Sequence, residues 1–115
     1  MTLSKPGDVV LLPFPFSDLS TVKQRPAVVI SSETFNARQQ DVMVVAITSQ
    51  IPSTLGPEDY RLSPEDLQLA GLPKPSIVKC GKLLTIDQRL IRKVLGRLPP
   101  HTLGQVKQRL LAILG

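Results

Sequence analysis

The chain has 115 residues, with 42% hydrophobic and 20% charged side chains and a formal net charge of +5. That length fits one domain with a modest core, and the balance of apolar and charged residues excludes a disordered chain. No apolar run approaches the roughly 20 residues that cross a bilayer, and a single cysteine, Cys80, excludes an internal disulfide. The first six residues lack the apolar centre of a secretory signal, which points to the cytoplasm. Aromatic residues make up 3% of the chain and tryptophan is absent, so the core must be Val, Leu and Ile.

Glycine and proline punctuate the chain, and no repeat or linker interrupts it. Gly7-Asp8 opens a short strand over residues 9–12, which Pro13 and Pro15 are expected to break. Residues 17–24 read as a polar loop. Residues 27–31 and 41–48 are β-branched and uninterrupted, as strands buried on both faces would be. Residues 51–57 form a second loop, and residues 60–62 a short edge strand.

A small helix starts at Ser63-Pro64-Glu65-Asp66, where Ser63 caps, Pro64 fits the first turn and the acids suit the positive end. Gly71 stops it after about two turns. Three further strands are predicted over residues 76–80, 82–86 and 91–98, with turns at Gly81 and at Asp87-Gln88. The chain closes in a helix after Pro99-Pro100, where Thr102 and Gln105 have the spacing of a capping box. Leu103, Val106, Leu110 and Leu114 form its apolar stripe. The fold class is therefore mainly β with helices. Many short strands favour a small, partly open β-barrel carrying an inserted helix and a terminal amphipathic helix.

Charge is unevenly distributed. Residues 74–115 hold nine of the fourteen Lys and Arg side chains and a single acid, Asp87. A basic half attracts polyanions or an acidic protein partner. With Phe14, Phe16, Phe35 and Tyr60 as the whole aromatic set, long tracking along a single strand is disfavoured. A short, focused phosphate site fits better. Arg25 opens one apolar strand and Thr48-Ser49-Gln50 closes another, so both strands aim phosphate-binding groups at one pocket.

Several stretches together carry a family resemblance. They are Gly7-Asp8-Val9-Val10, Arg25-Pro26-Ala27-Val28-Val29-Ile30-Ser31, Phe35-Asn36 and Val44-Val45-Ala46-Ile47-Thr48-Ser49-Gln50. Thr85-Ile86-Asp87 with Arg89-Leu90, Gly96-Arg97-Leu98 and the terminal helix follow in order. In order and spacing the chain resembles the MazF/PemK family of ribonuclease toxins from bacterial toxin–antitoxin systems. The resemblance implies an SH3-like barrel, a homodimer and an acidic antitoxin, in complex with which such proteins bind DNA. It also implies sequence-selective cleavage of single-stranded RNA, without metal or cofactor, to 2′,3′-cyclic phosphate and 5′-OH ends.

By the same resemblance, Arg25 and Thr48 match the catalytic pair of one branch. The guanidinium suits stabilisation of charge on phosphorus, and the hydroxyl suits orientation of a phosphate oxygen. Asp18, Lys23, Gln24, Ser49, Gln50, Lys79 and Lys82 are candidate substrate contacts, the lysines for flanking phosphates and the loop residues for base edges. Two positions depart from other branches. Gly81 replaces a general-base aspartate, and Ser20 stands where another branch has glutamate, which leaves Asp18 as the nominated carboxylate. The alternative is a non-cleaving protein of the same fold, either a gyrase-poison-like binder or an inactive relative that keeps antitoxin or RNA binding. Cys80 reads as a small apolar core residue, and His101 as a helix-terminus residue with no metal role.

Overall fold

The computed structural model describes residues 4–15 and 22–115. The elements in order are β1 (Asp8–Pro15), β2 (Val22–Val29), α1 (Glu33–Arg38), β3 (Asp41–Thr48), β4 (Asp59–Arg61) and α2 (Pro64–Ala70). Then come β5 (Ile77–Asp87), a 3-10 turn (Gln88–Leu90), β6 (Lys93–Arg97) and α3 (Pro100–Leu114). Among the described residues the six strands form one antiparallel sheet in the order β4-β5-β3-β2-β1-β6.

The link from β5 to β6 shows that this sheet is rolled. In a flat sheet the two strands would stand four spacings apart, about 19 Å. The chain from Asp87 to Lys93, half of it in a 3-10 turn, reaches only about 16 Å. The turn is pinned at one end by Gln88 N–H donating to the Gln40 carbonyl (2.8 Å). At the other end Arg92 N–H donates to the Leu11 carbonyl (2.8 Å). The edge strands β4 and β6 do not pair with each other. The predicted barrel is thus an open one.

Strand alternation divides the core in two. On one face Val9, Val28, Val45, Ile47 and Val78 pack with Val106 and Leu110 of α3 and Ala70 of α2. On the other, Val10, Leu12, Ala27, Val29, Val44 and Ala46 pack with Ile86, and Ile91 covers them just after the 3-10 turn. The apolar stripe of α3 is used within the chain at Val106 and Leu110, while Leu111, Ile113 and Leu114 are exposed.

Five sequence expectations are corrected. Strand β1 runs on through Pro13 and Pro15. The Leu11 carbonyl points to the β6 side, so the missing N–H groups two and four residues on face that side too. There β6 has already ended, because its pairing stops at Leu11↔Lys93, and proline on such an open edge costs no ladder bond. Strand β2 begins at Val22, so residues 22–24 of the expected loop are strand, and residues 17–21 lie outside the described residues. Strand β5 is continuous through Gly81, where a turn was expected.

Thr102 is not a cap. The N-cap of α3 is Pro99, without a side-chain bond, and the Thr102 hydroxyl instead donates to Asp66 Oδ1 at 2.7 Å. Finally, α1 was not predicted. Ser32 caps it by accepting from Phe35 N–H (3.1 Å). Its buried Asn36 donates to the Ser4 and Ser31 carbonyls and accepts from the Ser31 hydroxyl.

The remaining helix expectation matches. In α2, Ser63 and Asp66 form a full capping box, and Gly71 closes the helix in the left-handed conformation. Asp66 is buried at 4% exposure and accepts from both the Ser63 N–H (3.1 Å) and the Thr102 hydroxyl. It therefore ties α2 to α3. Asp66→Ala is expected to lower stability by about 2 kcal/mol, from a lost cap and a buried hydroxyl left unsatisfied. A urea titration checks this, and an unchanged midpoint would show that the tie carries no stability.

Past Gly71 the chain meets β6 at contact distance. A Cβ on Gly71 would lie 2.2 Å from the Leu95 carbonyl oxygen, and a Cβ on Gly96 would lie 2.3 Å from the Leu69 carbonyl oxygen.

Candidate active site

Pairing between β2 and β3 covers Ala27↔Ala46 to Val29↔Val44. Continued by two residues, that register sets Arg25 opposite Thr48. The ladder stops two residues short of them because Pro26 has no N–H to give β3. By alternation Arg25 shares a face with Ala27, and Thr48 with Ala46, so both point to the face of the second core group. The strands part at that point and a pocket of about 170 Å³ opens. Arg25, Ile47 and Thr48 form one part of its wall, and Gln50, Lys79 and Lys82 line the rest with Ala46.

Lys79 and Lys82 share this pocket because β5 is irregular. Residues three apart on a regular strand face opposite sides. Here Lys79 pairs with Ala46 while Leu83 pairs with Val45, so Cys80, Gly81 and Lys82 are extra residues in the ladder. This wide bulge inverts the alternation. Cys80 and Leu83 both go to the helix side, and Lys79 and Lys82 both go to the pocket side.

Thr48 is held by a local turn, in which its Oγ1 accepts from Gln50 N–H at 3.1 Å. That contact leaves the hydroxyl proton to donate. Three cations, Arg25, Lys79 and Lys82, therefore converge with a hydroxyl and an amide. Among the described residues that line the pocket there is no carboxylate or histidine. Such a set of side chains suits the recognition of negative charge. Among the described residues no group of three or more His, Cys, Asp and Glu side chains is placed to hold a metal ion.

A second hollow of about 210 Å³ lies on the other side of the same wall. It shares Arg25, Ile47 and Thr48 with the first pocket and adds Pro26, Ser49, Leu72, Pro73, Lys74 and Ser76. Lys74 and Ser76 were missed by sequence reasoning, since nothing local marks the segment after α2 as part of a site. Of the other expected contacts, Lys23 and Gln24 are exposed on β2 and line neither hollow. Asp18 and Ser20 lie outside the described residues.

A family model described as "PemK-like, MazF-like toxin of type II toxin-antitoxin system" matches residues 5–114. The chain belongs to that family. Solved structures with the same fold include the toxin MazF from Deinococcus radiodurans. It is 24% identical, covers 100% of this chain and 99% of its own, and superposes with a TM-score of 0.78. An endoribonuclease from a Mycobacterial species, solved in complex with its cognate antitoxin, is 21% identical. It covers 97% of this chain and 95% of its own, with a TM-score of 0.77. The MazE–MazF complex of Deinococcus radiodurans superposes with a TM-score of 0.76 at 22% identity. No curated protein matches the sequence.

Within the bulge of this PemK/MazF-like chain, the residues beside Lys79 are Cys80 and Gly81. Cys80 is fully buried, with its thiol set toward the Val106 carbonyl at 3.7 Å. Burial pushes its pKa up to about 11, although Arg109 pulls the other way. Fully buried, with its pKa raised, the thiol serves as a small core side chain. Gly81 is open: a Cβ there would meet nothing nearer than the stem of Glu58 at 3.9 Å. An acidic side chain from the segment before β4 therefore lies beside Gly81. Among the described residues no helix of the toxin is long and apolar enough to cross a membrane.

Proposed function

We propose that this toxin is an endoribonuclease that cleaves single-stranded RNA through the substrate's own 2′-OH. The observation that carries this reading is that Arg25 and Thr48, on the neighbouring strands β2 and β3, line one pocket with Lys79 and Lys82. In the proposed reaction O2′ attacks the adjacent phosphorus as the P–O5′ bond breaks. The 2′-OH proton is lost and the departing O5′ gains one, giving a 2′,3′-cyclic phosphate and a 5′-OH.

Negative charge grows on the non-bridging oxygens in that step. The Arg25 fork donates to them and stays charged throughout. The Thr48 hydroxyl fixes one oxygen, and Lys79 and Lys82 neutralise flanking phosphates. Gln50 and Gln24 offer amides and Ser49 a hydroxyl to base edges, and Lys23 is assigned a flanking phosphate. Asp18 keeps the role nominated for it, that of the carboxylate nearest Arg25 in sequence. The chemistry needs no metal and no cofactor. Family membership also supports a cytoplasmic homodimer neutralised by an acidic antitoxin, the complex binding DNA.

The test is incubation of the purified protein with a long single-stranded RNA in EDTA, followed by mapping of the ends. Discrete cuts ending in cyclic phosphate and 5′-OH are expected. A folded protein that leaves the RNA intact at every salt concentration would overturn the reading in favour of a binding-only relative.

A further inference from the structure

The two hollows described above are separated only by the wall that Arg25, Ile47 and Thr48 make. A phosphodiester held at that wall has two nucleosides, and they must leave it in opposite directions. The first hollow receives one of them beside Gln50, Lys79 and Lys82. The second is different in kind. Its floor is apolar, built by Pro26, Leu72 and Pro73, and its single added cation is Lys74. An apolar floor suits the face of a base, and a lone lysine on the rim suits the next phosphate.

The loop that carries Lys74 is braced. The Ser76 hydroxyl, 4% exposed, donates to the Lys74 carbonyl at 2.9 Å. Leu62 N–H donates to the Ser76 carbonyl at 3.1 Å, which anchors the same loop to the end of β4. At its start, Gly71 holds the loop against β6. Lys74 is thus presented from a fixed backbone, with only its side chain left to adjust.

From this geometry we propose that the second hollow is a nucleotide subsite, in which Leu72 and Pro73 carry a base and Lys74 binds the phosphate beyond it. The subsite lies across the Arg25–Thr48 wall from Lys79 and Lys82. It rests on the RNA-cleaving reading given above. It makes the bound RNA at least two nucleotides long, bent over the wall, with its second phosphate fixed from the segment between α2 and β5.

The experiment compares wild type, Lys74→Ala, Lys74→Arg and Lys107→Ala on synthetic RNA oligonucleotides around a mapped cut, shortened in turn from each end. Lys107 lies exposed on α3 and serves as a control for loss of one positive charge. On the longest oligonucleotide Lys74→Ala is expected to raise KM roughly tenfold with kcat kept. It should also reduce the salt slope of binding by about one. Lys74→Arg should restore the KM and Lys107→Ala should not change it. Once the oligonucleotide loses the phosphate on one particular side, wild type and Lys74→Ala should become equal. Wild-type cleavage with an unchanged KM in Lys74→Ala, or a difference that survives shortening from both ends, overturns the subsite alone. Failure of wild type to cut any of these RNAs removes the cleavage reading and the subsite with it.

Discussion

Arg25→Ala is expected to lower the rate of RNA cleavage by at least about a hundredfold while the protein stays folded. Removing one preorganised donor from an oxyanion site costs roughly 10²–10³ in rate, and the charged arginine in a phosphoryl-transfer site can cost more. The fold should survive because the side chain is only half-buried and β2 is held by its seven-residue register with β1. Arg25→Lys should recover part of the activity, since a lysine keeps the charge and loses the planar fork. Single-turnover cleavage with a melting curve on each variant checks this. A folded Arg25→Ala that cuts at the wild-type rate would remove Arg25 from the reaction.

Gly96→Ala should destabilise the protein strongly for a single methyl, at about 3 kcal/mol or more. The added Cβ would sit 2.3 Å from the Leu69 carbonyl oxygen and 2.6 Å from the Ala70 carbonyl carbon. Both are backbone atoms at the end of α2, so no rotamer change relieves the overlap. The helix must instead move off β6, and Gly71, whose own hydrogen faces the Leu95 carbonyl, moves with it. A fall in melting temperature of about 10 °C or more is expected for a chain of this size. Gly104→Ala is the matched control, because a Cβ there meets nothing within 4 Å. Equal melting temperatures for Gly96→Ala and the parent would mean that α2 and β6 are not seated as described.

What the sequence revealed of this fold follows from how local each signal is. The β3 strand, the α2 cap and the Gly71 stop are written in adjacent residues, and the structure has them at those positions. That Arg25 and Thr48 reach one pocket was legible because both sit at ends of apolar runs. The convergence of Lys79 and Lys82 was expected as chemistry, but its cause was not, since a bulge depends on the partner strand and leaves no mark in β5 itself. Thr102 had the spacing of a cap, yet a buried carboxylate 36 positions away claimed its hydroxyl. Helix α1 has only six residues and no apolar stripe, so periodicity could not find it. It is held instead by Asn36 against the start of the chain. Lys74 escaped notice for the same reason as the bulge: a loop joins a site only through what folds beside it.

The two prolines late in β1 have one more consequence. Past Leu11 that strand has β2 on one side and, among the described residues, no paired strand on the other. An exposed strand border is where chains stack on one another and begin to aggregate. Pro13 and Pro15 remove the two amide donors that an incoming strand would need. Replacing both with valine would restore those donors on a residue type that favours extended chain, and would turn a blunt border into a template for fibrils.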